Sequence, residues 1–456
     1  EYATLPTLQL LRIDVALKDN NRWGTDLSNL DTKAFFAHNR MSLALVEKFS
    51  GVLSSAARSL VIHEYQAKGL LRDHGVKTLP GEVCWTPEEV VTVCEDLHAN
   101  QGVNRFVVKS QIHAGGRGIG TFTDGFQGGV HLCDTPMEAK ELAAHMINNT
   151  LVTKQTPPEG RLVRRVFIEG AADIERELYF SILMDRNSRG PMVVASVCGG
   201  VDIESVAHET PEMIITMPID IDEGMTIEQA GELAKQLGFD RQPQQATEQI
   251  LALYETFRST DATQVEINPL AELKDGSAAS LDAKLNFDAN AEFRQEEVFA
   301  MRDMAEENWR EIEATKFGLN YIGLDGNVGC LVNGAGLAMA TLDVLKLNGA
   351  EPANFMDTAG AITIDKVCQA LEIIMSDENV EVLLINVFGG IVSCKILAEG
   401  ILKFNETKGL NIPLVVRMEG THVEAGKALL EASPIEYYKA DNLKEACEKA
   451  AQLSKK

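Results

Sequence analysis

No run of roughly 18 apolar residues occurs in the 456-residue chain, so no segment is long and apolar enough to cross a membrane as a helix. Positive charge is scarce. Forty-two Lys and Arg stand against 67 Asp and Glu, a net charge of −25. Phosphate backbones repel such a surface, so no nucleic-acid partner is expected. Cysteines are few and scattered, at 84, 94, 133, 198, 330, 368, 394 and 447. No C-x-x-C pair and no Cys/His spacing suited to zinc is present, which points to reduced thiols inside a cell compartment. The G-x-S-x-G elbow and the H-E-x-x-H motif are missing too. None of the nine histidines has the surroundings of a nucleophile, His113 beside a glycine loop included.

What remains is an ordinary globular composition, 45% hydrophobic and 24% charged, at a length that suits two or three domains. Residues 1–60 stand apart as an extension. From Met41 the sequence MSLALVEKFSGVLSSAARS is rich in Ser and Ala and can place Leu43, Leu45, Val46, Phe49 and Leu53 on one helical face. That is the composition of an organelle-import presequence.

Beyond it, VIHEYQAKGLLRDHG (61–75) predicts a helix ended by Gly75, and Thr86-Pro87 predicts the cap and first turn of another. RFVVKSQI, RRVFIEG, RELYFSILMD and PMVVASV read as strands. The charged stretch at about 300–318 reads as an exposed helix or linker, with domains at 61–305 and 320–456 and a linker at 306–319. After it, four strand–turn–helix units follow, beginning VGCLVNGAG, ANFMDTAG, VEVLLINVFGG and PLVVRMEG. They predict a doubly wound parallel sheet that binds ligands at its strands' carboxyl ends.

Three constellations carry chemistry. In VVKSQIHAGGRGIG (107–120), freed backbone N–H groups can cradle phosphate, with Lys109 and Arg117 supplying charge. It is not a Walker A loop, because the lysine precedes the glycines. In VEINPLAELKDGSAASLDAKLNFD (265–288), Asp275-Gly276 marks a hairpin. An odd-length loop centred on Asp275 sets Asn268 opposite Asp282, about 5 Å apart at Cβ. An amide oxygen beside a carboxylate suits Mg²⁺ shared with substrate phosphates; an even loop would undo the pair. In the second domain, the turns at Asn333-Gly334-Ala335-Gly336 and Gly389-Gly390-Ile391-Val392 each lead into a helix, whose N-terminus favours anions.

The segments LVIHEYQAKGLL, VVKSQIHAGGRG, QGGV, TKQTP, QVEINPL, LDAKLNFD, FRQ, YIGLDGN, LVNGAGLAMAT, PANF and GGIV resemble the β subunit of succinyl-CoA synthetase (succinate–CoA ligase), from about Val61 to Gln452. The resemblance implies an α/β chain: an α+β ATP-grasp domain, then a flavodoxin-like CoA-ligase domain. It assigns nucleotide binding to Lys109, Gly116, Arg117, Gly118, Glu169, Ala172 and Glu177, and Mg²⁺ to Asn268 and Asp282. Substrate contacts fall on Asn333, Gly390, Ile391 and Val392. The catalytic histidine, phosphorylated in turn by succinyl phosphate or NTP, is implied on an α-subunit partner, with succinate and CoA as co-substrates. A mitochondrial matrix or related organelle is the expected location.

Two positions differ from the family's usual pattern: Ile119 stands where lysine follows GRG, and Asp357–Ala361 reads DTAGA instead of DxGGG. In the nucleotide gate, Thr78-Leu79-Pro80 lacks the glutamine of GDP-forming members, which favours ATP/ADP over GTP/GDP. A GDP-forming version, a malate–CoA ligase subunit and an inactive scaffold are the alternatives.

Overall fold

The computed structural model describes residues 59–454, apart from 186, 187, 201, 202, 359 and 361. The expected presequence lies outside the described residues except at its end. There Ser59–Val61 is a strand paired with Ala283–Asp288, and Leu60 is buried. This strand is the edge of the first domain's larger sheet. Among the described residues no helix is long and apolar enough to cross a membrane, and all eight cysteines are free.

Two main sheets build the first domain, beside a small three-stranded one, Thr121–Phe122, Thr150–Val152 and Arg161–Leu162. The smaller main sheet is antiparallel, in the order Gly81–Cys84, Val166–Gly170, Phe106–Ser110, Val130–Cys133. The helices Pro87–Gln101 and Pro136–Met146 pack on it, each with threonine as cap and proline at the first position. Strand alternation decides where charge goes. Phe106 and Val108 face these helices in one apolar cluster, so Val107 and Lys109 face the other way. The larger sheet runs Ser59–Val61, Ala283–Asp288, Ala262–Leu273, Ile174–Asp185, Gly190–Ser196, Ile214–Pro218. Its core takes the helices Glu64–Asp73, Ile227–Gln236 and Pro243–Ser259.

The hairpin register is the one the odd loop requires. Leu270 pairs with Ser280, Glu272 with Ala278 and Ile267 with Ala283, all centred on Asp275. Asn268 thus lies opposite Asp282 and donates its N–H to the Asp282 carbonyl at 3.2 Å. Gly276, at φ 89°, closes the three-residue connection, and its N–H reaches the Leu273 carbonyl at 2.7 Å. This is the left-handed position such loops need.

The second domain is the expected wound sheet, in the order Asn320–Gly323, Asn354–Asp357, Val328–Val332, Val382–Gly389, Leu414–Gly420, Tyr438–Lys439. All neighbours are parallel except the first edge strand, which is antiparallel. The central strand Val328–Val332 is buried throughout, as a parallel strand covered on both faces should be. The charged segment expected as an exposed helix or linker contains a helix, and one that is docked on the second domain. Trp309–Lys316 is a helix capped by Asn308, and its Ala314 sits fully buried in the second domain's core. Arg310 ties it down by donating to the Ser376 carbonyl at 2.8 Å. High charge masked the one small apolar residue that docks.

Gly276→Ala should cost about 1–2 kcal/mol, the penalty for a Cβ in left-handed backbone. Urea denaturation would show it as a lower midpoint, and an unchanged midpoint would contradict the turn assignment.

Candidate nucleotide and ligase sites

Both main sheets of the first domain contribute to one buried ionic network. From the Phe106–Ser110 strand, Lys109 reaches Glu64 at 2.8 Å, Glu169 at 2.7 Å and the Leu281 carbonyl at 2.8 Å. The turn Arg117–Ile119 presents Arg117, whose guanidinium meets Glu64 at 2.8 Å, Asp282 at 2.8 Å and the Ser110 carbonyl at 2.8 Å. On the first helix, Lys68 contacts Glu169, Glu64 at 3.2 Å and the Leu281 carbonyl at 2.5 Å. Three cations thus meet three carboxylates, and only Asp282, with its side chain 39% exposed, opens to solvent.

The electrostatics follow from this geometry. Burial opposes the charge on Glu64, yet Lys109, Arg117 and Lys68 hold its carboxyl well below the usual range. Burial likewise opposes the charge on Lys109 and Arg117, and the surrounding carboxylates overcome it, raising both. Lys68 goes down, through burial and the nearby Lys109. Lys109 and Arg117 are therefore cationic at neutral pH. Burial alone would weaken the charge on Lys109; the Arg117 guanidinium stays charged in any case.

Lys109, Arg117 and Asp282 come together as expected, with Asn268 beside them through the hairpin. Asn268 Oδ1 also accepts the Gly200 N–H at 2.8 Å. The chemistry of this donor pair fits a hard cation. One amide oxygen and one carboxylate face the same side, and Arg117 holds only Oδ2 of Asp282. The glycine loop divides its work. Gly116 adopts φ 72°, while a Cβ on Gly118 would meet nothing within 4 Å. That leaves open space where a ligand can approach the backbone. Ile119, in place of the family's lysine, points outward at 75% exposure.

Glu169 and Glu177 part company. Glu169 is buried between Lys68 and Lys109. Glu177 is exposed on the Ile174–Asp185 strand, and its carbonyl accepts the Gly199 N–H at 3.1 Å. Ala172 lies in the loop joining them, and Pro80 is near, its carbonyl accepting the Gly170 N–H at 2.9 Å. Sequence reasoning missed Glu64 and Lys68. Their i, i+4 spacing is that of a solvated helix pair, and nothing in the pattern announced their burial.

A second polar cluster, His63, Asp303 and Glu306, has ligand atoms close enough to suggest a metal. Arg165 already pairs with Asp303, and His63 meets the same carboxylate at 2.9 Å. A fixed guanidinium therefore fills the cation's place, and the cluster fastens residues 303–306 to the smaller sheet.

At the carboxyl ends of the second domain's strands, the Asn333 amide clamps Phe388. It donates to the carbonyl at 2.9 Å and accepts the N–H at 2.8 Å. This joins the two predicted turns. The Gly334 N–H is taken by Asp357 at 2.6 Å. Gly390 and Ile391 are exposed, Ile391 at 84%, but the Val392 side chain is buried in the core. Only the backbone of Val392 is left for a ligand. Of the DTAGA turn, Ala359 and Ala361 lie outside the described residues; Thr358 is buried and donates its N–H to Val332 at 3.1 Å. Arg417, which the sequence reading passed over, stacks on the Phe388 ring at 5.5 Å and brings a guanidinium to this end of the sheet. It was hidden inside the apolar run LVVRMEG.

A phosphate-ready cation pair beside an oxygen-rich hairpin, followed by a wound sheet with helix-start turns, defines an ATP-grasp protein carrying a CoA-ligase domain. Family models agree: the ATP-grasp domain matches residues 61–272 and the CoA-ligase matches 331–451. The GDP-forming succinate–CoA ligase subunit beta, mitochondrial, of Dictyostelium discoideum is 51% identical over 88% of this chain and 94% of its own length. The ADP-forming subunit beta, mitochondrial, of the same organism is 44% identical over 94% and 96%. A solved ATP citrate lyase from Methanothrix soehngenii shares the fold, with TM-score 0.63 and 22% identity over 86% of this chain and all of that one. The chain belongs to the succinate–CoA ligase β-subunit family.

A pH prediction comes from the second cluster. Burial pushes His63 and His113 down to about 4 from 6.5. Between those values the unfolded chain binds protons that the folded chain refuses, so stability falls as pH drops through that window. Among the groups facing the pair, Asp303, held low, adds to this fall, while Glu306, pushed up by burial, opposes it; the two imidazoles set the sign. The thermal midpoint should therefore fall between about pH 6.5 and 4, and His113→Asn should flatten the fall. Identical pH profiles would contradict it.

Proposed function

We propose that the chain is the working β subunit of a succinate–CoA ligase. It interconverts succinyl-CoA, NDP and phosphate with succinate, CoA and NTP, through a phosphohistidine on an α subunit. The observation that carries this reading is the convergence of Lys109, Arg117 and Asp282, with Asn268 across the hairpin from Asp282. Lys109 and Arg117 bind the phosphate chain, and their charge stabilises the phosphoryl group in transfer. Asn268 and Asp282 would hold Mg²⁺, which when bound supplies further charge neutralisation on the phosphates.

At the ligase end, charge on succinyl phosphate is met by backbone N–H groups near Asn333 and Gly390–Val392 and by the helices that begin there. Glu177, exposed on its strand, and the Ala172 loop would receive base and ribose. With no glutamine in Thr78-Leu79-Pro80, and Pro80 beside that loop, ADP is the favoured nucleotide; relatives of both nucleotide classes match the chain. The mitochondrial names of relatives and the composition of residues 41–59 support a mitochondrial location.

Reconstitution with an α subunit and labelled ATP or GTP tests this. Label should reach the α histidine, faster from ATP. Asp282→Ala should abolish labelling while the subunits still associate. Unchanged labelling in that variant would refute the metal site, and failure of the native pair to label would refute activity.

A further inference from the structure

Glu64 and Lys68 lie directly behind the two cations assigned to the phosphates. Resting on that nucleotide-site reading, we infer that both are positioning residues: the first helix, through the shared Glu64 carboxylate, fixes where Lys109 and Arg117 point. One carboxyl group is split between them. Oε1 takes Lys109 at 2.8 Å and Oε2 takes Arg117 at 2.8 Å. Because those oxygens belong to one planar group on a packed helix, the spacing of the two cations is set before any ligand arrives. Gln111 donates to Glu64 Oε2 at 3.2 Å and limits rotation of the carboxylate.

Lys68 has a different task. Glu64, Glu169 and Asp282 carry three negative charges, enough to cancel Lys109 and Arg117. The buried ammonium of Lys68, against Glu64 and Glu169, absorbs part of that charge and leaves the other two cations attractive to phosphate. Lys68 and Lys109 also share the Leu281 carbonyl, one residue before Asp282. The helix therefore links the cation pair to the hairpin that carries the metal ligands. Stability alone is a poor explanation for this arrangement, since well-packed apolar side chains usually serve a buried site as well or better than ion pairs. Pre-arranged long side chains lose little freedom on binding, which is where a positioning network acts.

The test uses the complex reconstituted with its α subunit and compares KM for nucleotide, succinate and CoA. Glu64→Gln keeps shape and removes charge. It should raise the nucleotide KM about tenfold or more, as small misplacements of binding groups do, and leave the succinate and CoA values unchanged. Lys68→Met should also raise the nucleotide KM, and the Glu64→Gln/Lys68→Met pair should fall short of the product of the single effects. Should Glu64→Gln fail to assemble, Glu64→Asp keeps the charge but retracts it, and should weaken the thermal stabilisation given by Mg–nucleotide.

Lys109→Ala separates two failures. If it raises the nucleotide KM while Glu64→Gln or Glu64→Asp changes nothing, the positioning role is wrong and the site stands. If Lys109→Ala changes nothing, the site itself is wrong. Equal rises in all three KM values for Glu64→Gln would also overturn the inference, since they would mark general damage.

Discussion

A buried meeting of three cations with three carboxylates governs this molecule. Five elements deliver it: the first helix brings Glu64 and Lys68, the Phe106–Ser110 strand Lys109, the Arg117–Ile119 turn Arg117, the Val166–Gly170 strand Glu169, and the hairpin Asp282. Breaking one partner out of a buried pair typically costs about 3–5 kcal/mol, so the elements are held in mutual register by charge as well as by packing. The two main sheets of the first domain have separate apolar cores, and the network crosses from one to the other through Lys109–Glu64 and Arg117–Asp282.

The two ends of the chain offer anions different physics. In the first domain the charge sits on side chains, Lys109 and Arg117, supported from behind by Glu64 and Lys68. In the second, the turns at strand ends contribute backbone N–H groups and helix starts, stiffened by the Asn333 clamp on Phe388. Arg417 is the one nearby guanidinium described here, and it is stacked on Phe388 and not displayed on a turn. Side-chain cations suit a polyphosphate that arrives with its own metal. Backbone groups suit a smaller acyl phosphate that must also leave.

The fold was legible to different depths. The wound sheet showed clearly, because each β–turn–α unit repeats the same grammar; the antiparallel edge strand Asn320–Gly323 did not, since direction leaves no mark in a four-residue run. The hairpin's place was legible from Asp275-Gly276, but its register was not until the loop proved to have three residues; a period of two then fixes the rest. ATP-grasp topology came from resemblance, not from pattern. The network's hidden half stayed hidden because burial of Glu64 and Lys68 is decided by elements over 100 residues away, Glu169 and Leu281 among them. Val392 looked like a binding residue and proves to be core on its side-chain side, a distinction that depends on which way the turn rolls.

The central claim is that a metal–nucleotide lies between the glycine loop and the hairpin. Crystals of the assembled subunits grown with Mn²⁺ and a non-hydrolysable nucleotide test it most directly. The account predicts an anomalous peak within bonding distance of the Asn268 and Asp282 side-chain oxygens, with phosphate density against Lys109 and Arg117. A peak bound elsewhere, with Lys109 and Arg117 facing no phosphate, would contradict it.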